Sequence, residues 1–190
     1  MKLGLFGGSF DPVHLGHLLV AQAAYEELKL DRLFFIPASQ SPLKPERKLT
    51  PSLERMRLLR LALAGKSWCE IDDQEIKRGG ISYTIDTVRD YARRFPGATL
   101  FYLIGADQVP QLPRWRDAAD LAKMVEFVVL PRPGQAEVAV AKPFRATTLA
   151  GFPLGVSSSQ IRARAKAGLP IDPLVPAIVA EAIAHNRLYL

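Results

Sequence analysis

The chain has 190 residues but a single cysteine, Cys69, so it can form no internal disulfide and offers no cysteine cluster for a metal. Only three histidines occur, which leaves little for a Cys/His metal centre. Apolar runs are short: the longest, around residues 18–24 and 127–130, are soon broken by polar residues or proline and fall well below the roughly 20 residues that span a bilayer. No membrane partner is expected. The opening Met-Lys-Leu-Gly-Leu-Phe-Gly-Gly lacks a small-residue cleavage signal, so no secretory signal peptide is expected, and a lone thiol suits a reducing cytoplasm. Internal repeats, low-complexity tracts and interdomain linkers are also missing.

What is present is an ordinary globular composition, 48% hydrophobic and 23% charged, at a length that fits one domain over residues 1–190. A net charge of +6, from 25 Lys+Arg against 19 Asp+Glu, implies an anionic partner. Nucleic acid is one such partner, but the basic residues are scattered and no recognition motif or interleaved aromatic stripe accompanies them.

Apolar runs alternate with stretches of helical spacing. Residues 3–6, 33–37, 99–104 and 125–130 have the continuous apolar character of strands buried on both faces, and a third strand is expected within 68–76. Helices are expected over 16–28, 84–95, 117–124, 158–167 and 173–185. Another follows Thr50-Pro51, read as an N-cap and first helical proline, with Leu53, Met56, Leu59, Leu61 and Leu63 on its apolar side. This alternation predicts an α/β fold with a mostly parallel sheet covered on both faces. Residues 38–50 form a long polar loop rich in proline, of the kind that often carries function.

The segment Gly7-Gly8-Ser9-Phe10-Asp11-Pro12-Val13-His14-Leu15-Gly16-His17 joins the first strand to the first helix, where ligands bind in open parallel sheets. Paired glycines admit close approach to a ligand, and a helix N-terminus offers N–H groups to phosphate. His14 and His17 lie three apart, on one side of the entering turn. The chain has no Gly-x-x-x-x-Gly-Lys-Ser/Thr, no Gly-x-Gly-x-x-Gly, no His-Glu-x-x-His and no Gly-x-Ser-x-Gly, which disfavours P-loop, dinucleotide-fingerprint, zinc-protease and serine-hydrolase chemistry. Farther on, Ser157-Ser158-Ser159 before a helical stretch with Arg162 one turn in joins an N-cap to a possible phosphate site.

The loop closely resembles the His-x-Gly-His signature of the nucleotidyltransferase superfamily. Ser82-Tyr83-Thr84, Ile104-Gly105-Ala106-Asp107, Trp115, Arg132-Pro133-Gly134 and the segment from Val156 to Arg162 follow in the order seen in bacterial nicotinate-nucleotide adenylyltransferases, so the resemblance spans nearly the whole chain. It implies a Rossmann-like doubly wound sheet, with the helices from about residue 157 completing the ATP site. It also implies a reaction of NAD biosynthesis: the phosphate of nicotinate mononucleotide attacks the α-phosphate of ATP, giving deamido-NAD and pyrophosphate. His14, His17 and Arg162 are the implied catalytic residues. ATP would further meet Gly7, Gly8, Ser9, Phe10, Gly105, Asp107, Ser157, Ser158 and Ile161, while Lys44, Ser82, Tyr83, Thr84, Trp115 and Arg132 would meet the mononucleotide. Mg²⁺ is expected as the ATP counter-ion, held mainly by phosphates. His185 is left outside the site. A phosphopantetheine adenylyltransferase and a catalytically silent nucleotide sensor are the alternatives within the superfamily, and both a monomer and a homo-oligomer remain open.

Overall fold

In a computed structural model of the chain, described over residues 1–42, 46, 48–130, 139–152 and 154–190, six strands form one sheet. They are β1 (Lys2–Gly8), β2 (Arg32–Pro37), β3 (Cys69–Ile71), β4 (Thr99–Gly105), β5 (Val125–Leu130) and β6 (Ala146–Thr148). Every neighbouring pair is parallel, and the order is β3-β2-β1-β4-β5-β6. That is the doubly wound, Rossmann-like order, in which the connections diverge between β1 and β4 and leave a crevice at the carboxyl ends of the strands.

The apolar strands are continuous because each feeds two cores. Leu33 and Phe35 of β2 and Phe101 and Leu103 of β4 point into one, while Phe34 and Ile36, and Leu100, Tyr102 and Ile104, point into the other. The first core is covered by α1 (Leu15–Glu27), α2 (Ser52–Leu63), α6 (Ser158–Lys166) and α7 (Ala177–His185). The second is covered by α4 (Thr84–Arg94), α5 (Ala118–Met124) and a 3-10 helix over Ala106–Arg114. Cys69 is a buried small residue at the start of β3, as expected. No helix among the described residues is long and apolar enough to cross a membrane.

The structure differs from the sequence reading in several places. Helix α2 begins at Ser52, so Pro51 occupies the cap position without a side-chain cap, and the Thr50 carbonyl accepts from Arg55 Nε at 2.9 Å instead. Met56, Leu59 and Leu63 are buried as expected, but Leu53 is 71% exposed and Leu61 only partly buried, while Arg55, Leu58 and Ala62 complete the buried face. β3 spans only three residues before the short helix α3 (Gln74–Arg78), which stops at Gly79 in the left-handed region. The 3-10 helix, which includes Pro110 and Pro113, and the edge strand β6 carry no periodicity long enough to announce them.

Candidate active site

The first loop leaves the sheet beside the switch point. Its two glycines are required from beneath as much as by any ligand: a Cβ on Gly7 would overlap the Tyr102 hydroxyl, and one on Gly8 would lie 3.1 Å from the Phe10 ring. Phe10 is itself left-handed (φ 44) and 1% exposed. Its ring is a core group packed on Phe6, His17 and Phe35, and it does not line the crevice.

His14 is the N-cap of α1 and His17 its third residue, and the two cap each other. His17 N–H donates to His14 Nδ1 at 3.3 Å, and His14 N–H donates to His17 Nδ1 at 3.2 Å. This is the geometry of a capping box built from imidazoles. Because each Nδ1 accepts, each ring carries its proton on Nε2 and presents that N–H as a donor. The rings stack with centroids 3.7 Å apart. Burial, and then the neighbouring His14, hold the His17 pKa well below its ordinary value, so its ring is a neutral donor at physiological pH. Gly16 makes the stacking possible, since a Cβ there would lie 3.0 Å from His14 Nδ1.

Side chains from three other parts of the chain fasten the loop through bonds to its oxygens. Arg55 Nη1 donates to the Ser9 carbonyl at 2.7 Å, Arg162 Nη1 to the Asp11 carbonyl at 2.7 Å, Ser158 Oγ to the Pro12 carbonyl at 2.9 Å, and the Tyr189 hydroxyl to Asp11 Oδ1 at 3.1 Å. α6 thereby docks its N-terminus onto the loop. Ser157 caps that helix, accepting from Gln160 N–H at 3.3 Å while Gln160 Oε1 takes the Ser157 N–H at 2.9 Å. Both hydroxyls expected at ATP thus have structural duties of their own. Ile161, also expected there, has no exposed surface, packs in the core, and its N–H bonds to the Ser157 carbonyl.

On the far side of Gly7-Gly8-Ser9 lies a cavity of about 440 Å³ at the carboxyl ends of β1 and β4. Ser82, Tyr83, Thr84, Asp107 and Trp115 line it, as do Glu75, Tyr102, Gln108, Gln111, Arg114 and Arg116. Ser82 is positioned by its neighbours: its hydroxyl accepts from Ser39 N–H at 2.9 Å and its N–H donates to the Gln40 carbonyl at 2.8 Å. Thr84 opens α4 and donates to the Tyr102 hydroxyl at 3.3 Å. Trp115 meets Tyr102 and Phe127 edge to face, and its buried indole N–H has no acceptor among the described residues. The Arg116 guanidinium lies 4.7 Å above the Tyr83 ring. Glu75 is buried, accepts from the Thr87 hydroxyl at 2.6 Å, and has its pKa raised by burial.

The expected residues therefore fall into two groups. His14, His17, Ser157, Ser158 and Arg162 gather around α1 and α6; Ser82, Tyr83, Thr84, Asp107 and Trp115 gather around the cavity, with Gly7, Gly8 and Ser9 forming its border with the first group. Gly105 ends β4 just behind the cavity rather than in its lining. Lys44 and Arg132 lie outside the described residues. His185 is exposed and apart from both groups. Sequence reading missed Arg55, Glu75, Tyr102 and Tyr189. Of these Arg55 left a trace, an arginine standing first in an otherwise apolar i, i+3, i+4, i+7 stripe.

Comparison with known proteins bears on the family and the fold. The Cytidylyltransferase-like family pattern matches residues 5–164. A protein of Opitutus terrae named probable nicotinate-nucleotide adenylyltransferase is 43% identical over 192 residues, covering 100% of this chain and 98% of that protein. One of the same name from Gemmatimonas aurantiaca is 44% identical over 196 residues, covering 100% of this chain and 92% of that protein. In fold, the chain is similar to Plasmodium falciparum nicotinic acid mononucleotide adenylyltransferase complexed with NaAD, with a TM-score of 0.82 and 16% identity over 99% of this chain and 97% of that one. Identity of this degree along the whole length, on a sheet whose switch point carries the mutually capped histidines, means that the chain belongs to the nicotinate-nucleotide adenylyltransferase family of cytidylyltransferase-like proteins.

Proposed function

We propose that this chain transfers the adenylyl group of ATP to nicotinate mononucleotide, releasing pyrophosphate and forming nicotinate adenine dinucleotide for NAD biosynthesis in the cytoplasm. The observation that carries this reading is the cavity itself. It adjoins the histidine loop across Gly7-Gly8-Ser9, is flanked by Trp115, and holds the Thr84 end of α4. The relatives share the name of that activity, and the similar Plasmodium falciparum structures are titled as complexes with NaAD and with APC.

The chemistry follows from the placement. A phosphate oxygen of the mononucleotide forms a bond to the α-phosphorus of ATP, the bond from that phosphorus to the bridging oxygen breaks, and the electron pair leaves with pyrophosphate. Such a transfer gains most of its rate from alignment and from stabilising charge on phosphate oxygens. Nε2–H donors on His14 and His17 supply that stabilisation without a proton transfer, and Arg162, at the docked start of α6, meets the departing phosphates. In the cavity, the face of Trp115 suits a cationic pyridine ring, and the N–H groups at the start of α4 suit the ring's carboxylate. Arg114 and Arg116 flank Trp115 and add positive charge that favours the acid over the amide.

Mg²⁺, as the counter-ion of the ATP phosphates, would be held mainly by phosphates and water and would supply charge neutralisation there. Among the described residues no three His, Cys, Asp or Glu side chains converge as metal ligands. Pyrophosphate release from Mg-ATP, with nicotinate mononucleotide, nicotinamide mononucleotide and phosphopantetheine run in parallel, tests the reading. Turnover on nicotinate mononucleotide that His17→Ala abolishes is expected. Turnover on phosphopantetheine, or on none of the three, would refute the substrate assignment.

A further inference from the structure

Beyond α7 the chain turns back on itself in an ordered way. Leu188 N–H donates to the Ile183 carbonyl at 3.0 Å and Arg187 N–H to the Ala184 carbonyl at 3.2 Å, a Schellman closure with Arg187 (φ 49) where glycine is usual. Tyr189 is also left-handed, at φ 66, a backbone that a bulky residue adopts only where its surroundings impose it. Arg57 on α2 holds the turn by donating to Asn186 Oδ1 at 3.1 Å, and Leu188 and Tyr189 pack against the core.

These turns bring the Tyr189 hydroxyl to Asp11 Oδ1 at 3.1 Å and to the Thr50 side chain. Asp11 is 1% exposed, and its carbonyl is the group that receives Arg162 Nη1 at 2.7 Å. One residue thus receives a hydroxyl on its side chain and a guanidinium on its backbone. A phenol that only filled space would have no need to reach a buried carboxylate from two successive left-handed turns.

We propose that Tyr189 is a positioning residue of the phosphate-binding half of the site: by holding the Asp11 side chain it fixes the peptide whose carbonyl orients Arg162. This rests on the reading of Arg162 as a phosphate ligand. Any loss should therefore fall on ATP, because the mononucleotide cavity lies on the other side of Gly7-Gly8-Ser9.

The test uses the full chain and Tyr189→Phe, which keeps the ring and removes only the hydroxyl. Calorimetric affinity for α,β-methylene-ATP should weaken about tenfold, the size of one hydrogen bond to a charged group. KM for nicotinate mononucleotide should stay within twofold and kcat/KM for ATP should fall with the affinity. In an Arg162→Ala background Tyr189→Phe should add less than twofold. Unchanged affinity, or the same tenfold loss without Arg162, would overturn the proposal.

Should Tyr189→Phe fail to fold, Asp11→Asn and Asp11→Ala decide. Asp11→Asn keeps an acceptor for the hydroxyl and should retain affinity within threefold, whereas Asp11→Ala should lose about tenfold; equal losses overturn the proposal. Wild-type protein that binds the analogue but does not turn over nicotinate mononucleotide refutes the substrate reading alone. Wild-type protein that does not bind it refutes both.

Discussion

The backbone N–H of His14 donates to Nδ1 of His17, and that of His17 to Nδ1 of His14, at 3.2 and 3.3 Å. Two residues that would serve as phosphate ligands are therefore also each other's helix cap. Protonating either ring at Nδ1 would break a cap and set a positive charge against a ring stacked 3.7 Å away. Burial keeps the His17 ring neutral, and the two Nε2–H groups, each fixed by its cap, act as donors that need no reorganisation during the reaction.

His17→Gln keeps an acceptor for the cap but replaces the stacked, fixed Nε2–H with an amide N–H on a flexible side chain. Glutamine is a favoured third residue of a capping box, so the start of α1 should survive. Turnover should nevertheless fall on the order of 10²- to 10³-fold, the usual loss when one preorganised donor to a transition-state oxyanion is removed. Melting followed against pH gives a second reading. Below its ordinary value of 6.5 the unfolded His17 takes a proton that the folded one refuses, so wild-type stability should fall as pH drops from about 6.5. That part of the slope should vanish in His17→Gln; an identical slope in both proteins would show that His17 titrates normally in the fold.

Gly16→Ala should damage activity without damaging the fold. An alanine in the first turn of a helix is favoured over glycine by up to about 1 kcal/mol. Here its Cβ would press on the His14 ring, 3.0 Å from Nδ1 and 3.1 Å from Cε1, and displace the imidazole from its cap. A melting temperature within a few degrees of wild type, together with a fall in kcat of tenfold or more, is the expected pair of results.

Arg55 is the buried support of the loop, 1% exposed and bonded to both the Ser9 and Thr50 carbonyls. Arg55→Met keeps much of the volume and deletes both bonds. A loss of about 2–4 kcal/mol is expected from two charge-assisted bonds and two stranded carbonyls, which at this chain length lowers Tm by roughly 5–15 °C. Arg55→Lys should recover only part of that loss, because one ammonium cannot reproduce the forked geometry.

Glu75 underlies the cavity, and its charge costs stability at neutral pH. Burial raises its pKa above the ordinary 4.5, so the folded chain holds this proton more tightly than the unfolded one, and stability falls as pH rises from 4.5 through the folded value. Glu75→Gln should remove that fall, making the variant's advantage in Tm grow with pH. Glu75→Ala should instead cost about 1–3 kcal/mol by leaving the Thr87 hydroxyl without its buried acceptor. A Tm advantage for Glu75→Gln that does not change with pH would show the carboxyl to be unperturbed.

Much of the architecture was legible beforehand because its signals are local. Apolar runs such as Leu33–Ile36 announce strands buried on both faces, and alternation of such runs with helical spacing leads to a parallel sheet. The histidine loop and the serine cap at Ser157 are contiguous in sequence, and both lie where that sheet must bind a ligand. The 3-10 helix and β6 were not legible, since two prolines obscure the first and the second is a three-residue edge strand whose pairing with β5 is decided elsewhere in the chain.

The amino-acid sequence by itself thus determined the fold class, the position of the ligand-binding loop and the chemical types offered there, because periodicity, glycine and capping act over a few residues. Only the tertiary structure decided that Arg55 turns inward to hold Ser9, that Glu75 lies beneath the cavity, and that Tyr189 meets Asp11 across 178 positions of chain. Such contacts depend on how two cores close on either face of one sheet. A hydrophobic pattern states which side of an element is buried, but not which distant side chain will fill the space it faces.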